Sequence, residues 1–210
     1  MARVRVRQHV NPLSGKYQTP LSPPIWEKVY RTPDRPLHLD IGCGWGQFLI
    51  EMAQLELGWN FLGLEIREAL VESANQRRDE LGLTNLEYLF CNVNTSLKPL
   101  LESLPVGTLQ RVTIQFPDPW FKKRHQKRRV VQTELVTELA NYLVDGGEVF
   151  LQSDIEAVAV EMRDRFLSHP AFQQQDTWLA TNPLPVATER EKTTSDRGEP
   201  VYRVLLKKVP

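Results

Sequence analysis

Residues 37–46, LHLDIGCGWG, join a short apolar run to a turn that holds three glycines. Glycine lets a strand turn sharply into a helix and lets backbone N–H groups approach a ligand at the helix start. The spacing is D-x-G-x-G-x-G, with Gln47 at the position where the dinucleotide fingerprint G-x-G-x-x-G requires its third glycine. The stretch therefore predicts the first strand, turn and helix of an α/β domain, with a ligand-binding turn of a different pattern.

After residue 37, short apolar runs alternate with helical patterns, which is typical of βαβ units and a parallel sheet. Five strands are predicted, at residues 37–41, 60–65, 86–91, 109–116 and 148–153. Two more are predicted at residues 172–179 and 201–207, joined by the polar stretch TNPLPVATEREKTTSDRGEP, which lacks periodicity and is interpreted as a long loop. The predicted fold class is α/β, with a doubly wound, Rossmann-like sheet.

Apolar residues at helical spacing predict the helices between these strands. One stripe comprises Phe48, Leu49, Met52 and Leu55, a second Leu70, Ala74 and Leu81, and a third Val131, Leu135, Leu139 and Leu143. The third stripe follows directly on a basic segment, so we expect that helix to start within the basic residues. A further helix is predicted over residues 155–167.

The composition is that of a globular protein, with 41% apolar and 25% charged residues in a chain of 210. The only two cysteines, Cys43 and Cys91, exclude a disulfide scaffold, and no ligand cluster beside them suggests a metal site. No apolar run approaches the roughly 20 residues that cross a bilayer, and the start MARVRVRQHVNPL lacks the apolar stretch of a signal peptide. We therefore expect a cytoplasmic protein without a membrane partner.

Charge is distributed unevenly along the chain. The formal net charge is zero, yet residues 122–129, KKRHQKRR, hold six cationic side chains and no acidic one. Residues 1–36 contain six prolines, and their first acidic residue, Glu27, follows four basic ones, so an irregular basic arm is predicted there. Residues 37–210 are interpreted as one domain. Partners that carry phosphates are favoured by this pattern.

Two polar residues stand at the ends of the second and third predicted strands. Glu65 ends the second strand, where a carboxylate can accept both hydroxyls of a ribose. Asn92 follows the third strand, and its amide matches the hydrogen-bonding edge of adenine, although a turn-capping asparagine is nearly as common there. Together with the glycine turn, these residues favour an adenosine-containing ligand.

The combination resembles the S-adenosylmethionine site of class I methyltransferases. That resemblance implies a mostly parallel sheet with an antiparallel C-terminal strand, and S-adenosyl-L-methionine as the cofactor. The residues it assigns to the cofactor are Asp40, Gly42, Gly44, Gly46, Glu65, Asn92 and Asp118.

The fourth strand ends in IQFPDPWFKKRHQKRR, in which Asp118 lies between two prolines that restrict the backbone. A carboxylate held at the carboxyl end of a central strand is a candidate reaction centre, with a turn cap as the alternative. The basic residues are disfavoured at a helix start unless an anion offsets their charge, and a phosphate backbone would do so. Trp120 can stack on a base or serve as a packing lid, and the sequence leaves both open.

This segment closely resembles the signature of the tRNA (guanine-N7-)-methyltransferase family. The resemblance implies methyl transfer to N7 of a guanine in the variable loop of tRNA, with Asp118 as the catalytic residue. It assigns substrate contacts to Lys122, Asp154, Thr188 and Glu191, and RNA contacts to Arg124, His125, Gln126, Lys127, Arg128 and Arg129. The chain departs from the family at Asn92, where many members have aspartate, and inside the T-x-x-E motif, which reads Thr-Glu-Arg-Glu.

Several alternatives stay open at this point. Asp154 can instead cap the helix that follows it. Another class I methyltransferase, acting on an exocyclic amine of a base, is compatible with Pro-Asp-Pro-Trp, which is loosely similar to a D/N-P-P-Y/F motif. A silent RNA-binding protein with the same fold, or more distantly a nicotinamide-dependent oxidoreductase, would also use this sheet. The sequence leaves a monomer or a homodimer open.

Overall fold

The computed structural model describes residues 10–174 and 178–210, and its centre is a seven-stranded sheet in the order β3-β2-β1-β4-β5-β7-β6. The strands are β1 (Leu37–Ile41), β2 (Asn60–Glu65), β3 (Leu86–Phe90), β4 (Leu109–Gln115), β5 (Glu148–Ser153), β6 (Phe172–Gln174) and β7 (Tyr202–Lys208). Strands β1 to β5 pair in parallel, whereas β7 runs antiparallel to both β5 and β6. The predicted sheet, with its antiparallel C-terminal strand, is confirmed.

Helices cover both faces of this sheet. They are α1 (Trp26–Val29), α2 (Gln47–Leu55), α3 (Glu68–Glu80), α4 (Val93–Glu102), α5 (Thr133–Tyr142), α6 (Glu156–Leu167) and α7 (Glu189–Asp196). Successive strand residues point to opposite faces, and accordingly Phe61 belongs to a buried cluster with residues of α2 and α3, while Leu62 belongs to a second cluster with residues of α4, α5 and α6. Two buried clusters therefore enclose the sheet, as the doubly wound prediction requires.

The predicted strand limits match closely in the first five strands. Three agree at both ends, and β3 and β4 each end one residue earlier, at Phe90 and Gln115. The sixth strand ends at Gln174, and residues 175–177 of the predicted run lie outside the described residues. Residues 178 and 179, the last two of that run, are not in a strand, so the prediction was wrong for them.

Three helix predictions were wrong in part. Leu55 and Leu81 are 62% and 50% exposed, so they do not belong to the buried stripes. The helix predicted from the third stripe is α5, which begins at Thr133. The basic residues before it form a separate 3-10 segment, Lys123–Arg128. The expected conflict between these cations and a helix N-terminus therefore does not arise.

Two longer helices were not predicted. Helix α4 begins after Asn92, whose Oδ1 accepts from the backbone N–H of Asn94 at 3.2 Å, and it contains Pro99. Helix α7 lies inside the stretch interpreted as a loop, which was wrong for this part. Only Glu191 and Thr194 of α7 are buried, so the helix has no apolar stripe that periodicity could detect.

The described part of the N-terminal arm packs against the sheet. The side chains of Trp26 and Tyr30 are buried and stack with their ring centroids 5.8 Å apart. Tyr30 also donates to the carbonyl of Phe61 at 2.9 Å. Over residues 10–174 and 178–210, no helix combines the length and the hydropathy that a bilayer crossing requires.

Candidate functional site

An open cleft of about 800 Å³ lies at the carboxyl ends of β1, β2, β3 and β4. In this sheet order, β1 and β4 are neighbours from which the chain winds in opposite directions, which is where such sheets bind ligands. The cleft lining includes Gly42, Glu65, Asn92 and Asp118, joined by Trp120 and Arg128. The structure thus brings together candidate residues from four separate strand ends.

The glycine turn is open on one side and tightly packed on the other. Gly42, Gly44 and Gly46 have φ values of +83°, +56° and +74°, in the left-handed region that favours glycine. A Cβ added at Gly42 or Gly44 would meet no atom within 4 Å, whereas one added at Gly46 would lie 2.7 Å from the Tyr88 ring. Two glycines therefore leave room for a ligand, and the third permits close packing on β3.

We expect Gly46→Ala to lower the free energy of unfolding by about 1–3 kcal/mol, because the alanine would be strained at this φ and would overlap Tyr88. Gly58→Ala is the matched control, since Gly58 is exposed and a Cβ there meets nothing within 4 Å. Urea unfolding of the three proteins measures the difference. Equal losses in the two variants would contradict the packing argument.

Glu65 is buried, and its carboxylate is the hydrogen-bonding centre of the cleft floor. It accepts from the backbone N–H of Gly44 at 3.0 Å and from that of Arg67 at 3.0 Å. The Arg67 guanidinium pairs with both carboxylate oxygens, at 2.9 and 3.0 Å, while the Arg67 side chain is 29% exposed. A hydroxyl ligand at Glu65 would therefore compete with the Arg67 side chain.

Asn92 connects the cleft to the N-terminal arm as well as capping α4. Its Nδ2 donates to the carbonyls of Pro12 and Tyr17, both at 3.1 Å. The capping role that the sequence left open is therefore present. A contact of Asn92 with a nucleobase stays a prediction.

Asp40 lies beneath the cleft, at one end of a buried row of polar side chains. Its Oδ1 accepts from Thr113 at 2.6 Å and from Gln115 at 3.4 Å, and Thr113 in turn contacts His38 at 3.0 Å. Burial raises the pKa of Asp40 to about 6, despite these hydrogen bonds. Burial, with a contribution from Arg111, lowers the pKa of His38, so its imidazole is neutral at pH 7.

The Asp40 pKa leads to a stability prediction. The Asp40 carboxyl binds its proton more tightly in the folded chain than in the unfolded chain. The protonated carboxyl therefore contributes fully to the free energy of unfolding below about pH 4, and this contribution is lost as the pH rises through about 6. We expect Asp40→Asn to be more stable than the parent by about 1–3 kcal/mol at pH 7.5, with the gap closing near pH 4. Urea unfolding at both pH values measures this, with the exposed Asp34→Asn as control. A gap that is constant with pH would contradict the assignment.

The turn after β4 places Asp118 at the cleft with an exposed side chain. Phe116 and Trp120, on either side of the Pro-Asp-Pro sequence, have positive φ values of +49° and +40°. Such strain in residues other than glycine is concentrated at functional sites. The Arg128 guanidinium lies 4.9 Å from the Trp120 ring, and His125 meets that ring edge-on at 5.7 Å.

Comparisons with known proteins assign this architecture to a family. Residues 34–204 match the family described as "Putative methyltransferase". A Nostoc protein named tRNA (guanine-N(7)-)-methyltransferase is 69% identical, and the alignment covers 98% of this chain and 94% of that protein. A Microcystis aeruginosa protein of the same name is 59% identical, with 99% of both chains covered.

The chain belongs to the tRNA (guanine-N(7)-)-methyltransferase family. Solved structures agree with the fold that this family implies. A Streptococcus thermophilus rRNA methylase aligns with a TM-score of 0.51 at 18% identity, over 87% of this chain and 91% of that one. A Geobacter metallireducens precorrin-6y C5,15-methyltransferase aligns with a TM-score of 0.54 at 16% identity, over 87% and 85%. At these identities the likeness concerns the fold alone.

The T-x-x-E motif of the methyltransferase family forms the start of α7. Thr188 caps the helix by accepting from the N–H of Glu191 at 3.1 Å. The buried Glu191 carboxylate accepts from Asn182 at 2.7 Å, from Gln152 at 3.1 Å and from Arg203 at 2.8 and 3.1 Å. Through Glu191, the motif thus links α7 to β5 and β7 by hydrogen bonds.

Asp154 lies at the same sheet edge and pairs with Arg190 of the motif. It does not cap α6, whose N-cap residue is Ile155, with Ser153 Oγ accepting from the Ile155 N–H at 3.1 Å. The capping alternative is therefore excluded. Neither Asp154 nor the T-x-x-E residues line the cleft.

The basic segment, residues 122–129, contains both exposed side chains and side chains that contact other residues of the protein. Lys122, Arg124, Gln126 and Lys127 are exposed. Desolvation and the cations of Arg128 and Arg124 lower the pKa of His125, which keeps the imidazole neutral at pH 7. Lys122, Arg124 and Lys127 therefore present cationic groups to solvent beside the cleft.

Sequence reasoning missed the side chains that connect these parts. Gln115 and Gln152 are register partners on β4 and β5, and Gln152 donates to Gln115 at 2.7 Å as well as to Glu191. A continuous polar row therefore runs from Asp40 through both glutamines to the T-x-x-E motif. The available signal was one glutamine near the end of each of two apolar strands, VTIQ and VFLQS.

Proposed function

We propose that the protein transfers the methyl group of S-adenosyl-L-methionine to N7 of a guanine in the variable loop of tRNA, forming N7-methylguanosine. The observation that carries this proposal is 69% identity, over 98% of the chain, to a protein named for that reaction. Residues 37–210 would be the methyltransferase domain, with residues 1–36 as its arm. A tRNA substrate is consistent with the expected cytoplasmic location.

The residues present fit the cofactor. The cleft combines apolar and polar lining residues, as small-ligand sites do, and open space lies over Gly42 and Gly44. The glycine turn would hold the methionine end, Glu65 the ribose hydroxyls and Asn92 the adenine edge. When bound, the cofactor supplies a methyl group on a positively charged sulfur.

The reaction sets a specific requirement for Asp118. Guanine N7 carries a lone pair at neutral pH, so methyl transfer to it removes no proton and needs no general base. The chain must instead orient the guanine in line with the methyl group and favour the positive charge that develops on the purine. We propose that the Asp118 carboxylate accepts from the guanine N1–H and N2–H₂ edge and stabilises that charge.

The surface beside the cleft suits an RNA. Exposed Arg124 and Lys127 can contact phosphates, and Trp120, with Arg128 over its ring, can stack on a base. Lys122, Asp154 and Thr188 would contribute further substrate contacts. Glu191 would act through the shape of the α7 segment, because its carboxylate already accepts four hydrogen bonds.

Incubation with S-adenosyl-L-methionine and unmodified tRNA, followed by digestion and mass spectrometry of the nucleosides, tests the proposal. We expect N7-methylguanosine, at one position when the tRNA is cut into fragments. Methyl on an exocyclic amine would replace the proposed reaction with the alternative one. Cofactor binding without any methylated nucleoside would favour the silent RNA-binding protein.

A further inference from the structure

Arg129 is in the basic segment by sequence but differs from its neighbours in structure. Its side chain is 13% exposed, whereas Arg124 and Lys127 are exposed residues. Its Nε donates to the carbonyl of Pro119 at 2.8 Å, and its Nη1 pairs with Glu161 of α6. The guanidinium is thus directed into the protein, toward the turn that carries Asp118.

That turn has few backbone donors of its own. Pro117 and Pro119 lack N–H groups, and the positive φ values of Phe116 and Trp120 strain the backbone on both sides. The N–H of Phe116 is held by the carbonyl of Gln152 at 2.8 Å, at the strand end of the turn. In the middle of the turn, the Pro119 carbonyl, one residue after Asp118, accepts from Arg129.

Arg129 is itself fixed by a closed ring of contacts. Arg165 donates to Glu161 at 2.8 Å and to Gln132 at 3.0 Å, and Gln132 donates back to the carbonyl of Arg129 at 2.7 Å. A small pocket lies behind the turn, lined by Pro117 and Asp118 together with Arg129, Glu161 and Arg165. Removal of the guanidinium would enlarge this pocket and give the turn space to shift.

We propose that Arg129 is a positioning residue, which holds the Asp118 turn on α6 through Pro119 and Glu161, and is not a phosphate contact. This inference rests on the proposed methyl transfer. It separates Arg129 from Arg124 and Lys127, which keep the RNA-contacting role. Since a displacement of about 1 Å can cost up to about 100-fold in rate, the effect should appear in kcat.

The test compares Arg129→Lys, Arg129→Gln, Glu161→Gln and Lys127→Gln in the full chain, with Glu156→Gln as control. Arg129→Lys keeps the charge but cannot hold both partners, so we expect kcat to fall about 10–100-fold, with an unchanged salt slope of tRNA binding. Glu161→Gln should lower kcat similarly, although it removes a negative charge that would repel RNA. Lys127→Gln should instead flatten the salt slope by about 0.7–0.9. Glu156→Gln, an exposed charge on the same helix, should leave kcat within about twofold.

Hydrogen exchange of the peptide spanning residues 116–122 provides a readout that needs no methyl transfer. We expect about tenfold faster exchange in Arg129→Lys and Glu161→Gln, and parental exchange in Lys127→Gln. Parental kcat and exchange in Arg129→Lys, with a flattened salt slope in Arg129→Gln, would overturn the proposal in favour of a phosphate contact. A parent that forms no N7-methylguanosine overturns the proposed function alone, because the exchange comparison still decides whether Arg129 holds the turn.

Discussion

Asp118→Asn is expected to lower kcat about 10²–10³-fold while the Kd for tRNA changes by less than about threefold. The carboxylate lies in the cleft at the carboxyl end of β4, on a turn fixed by two prolines, and the variant removes its negative charge with little change of shape. Loss of one preorganised electrostatic partner of a developing charge typically has this effect on rate. Single-turnover rates with saturating tRNA, together with a separate binding titration, measure the two quantities.

Charge stabilisation differs from general-base catalysis, because N7 loses no proton in the reaction and no base is needed. Asp145→Asn is a suitable control, since Asp145 is an exposed aspartate before β5. An unchanged kcat in Asp118→Asn would disprove charge stabilisation by this side chain.

Arg203→Met is expected to cost about 3–5 kcal/mol of unfolding free energy. The Arg203 and Glu191 side chains are only 10% and 5% exposed, so the variant leaves a buried carboxylate without its cationic partner. Lys192→Met is the matched control, because Lys192 and its partners Glu51 and Glu189 are much more exposed, and we expect a loss below about 1 kcal/mol. Urea unfolding of both variants gives the comparison.

A second change separates charge burial from lost packing. Adding Glu191→Leu to Arg203→Met removes the orphaned carboxylate, and we expect part of the stability to return. If the double variant were no more stable than Arg203→Met, the loss would come from packing of the arginine stem. If Arg203→Met itself lost less than about 1 kcal/mol, the buried pair would not stabilise the α7 segment.

Most of the sheet could be predicted from the sequence because its strands are apolar runs bounded by polar and turn-forming residues. Residues 37–41 and 60–65, for example, have the predicted limits, and the strand-end positions of Gly42, Glu65 and Asp118 follow from parallel topology alone. The family resemblance supplied the reaction, which the strand pattern does not encode.

The remaining features depend on contacts between residues far apart in the chain. Helix α7 has no apolar stripe, and it is held by its Thr188 cap and by polar tertiary contacts such as those of Glu191. The pairing of Arg129 with Glu161 spans 32 residues, and nothing in the basic segment distinguishes this arginine from Arg128. Periodicity reports which face of an element is buried, and it carries no information about such long-range polar partners.

The polar row from Asp40 through Gln115 and Gln152 to Glu191 has a consequence for protein engineering. The segment around α7 cannot be exchanged independently of the sheet, because Glu191 of this segment accepts a hydrogen bond from Gln152 of β5. A chimera that imports this segment from a distant methyltransferase should therefore import matching residues at positions 115, 152 and 203. Among natural relatives, these positions are expected to change together rather than one at a time.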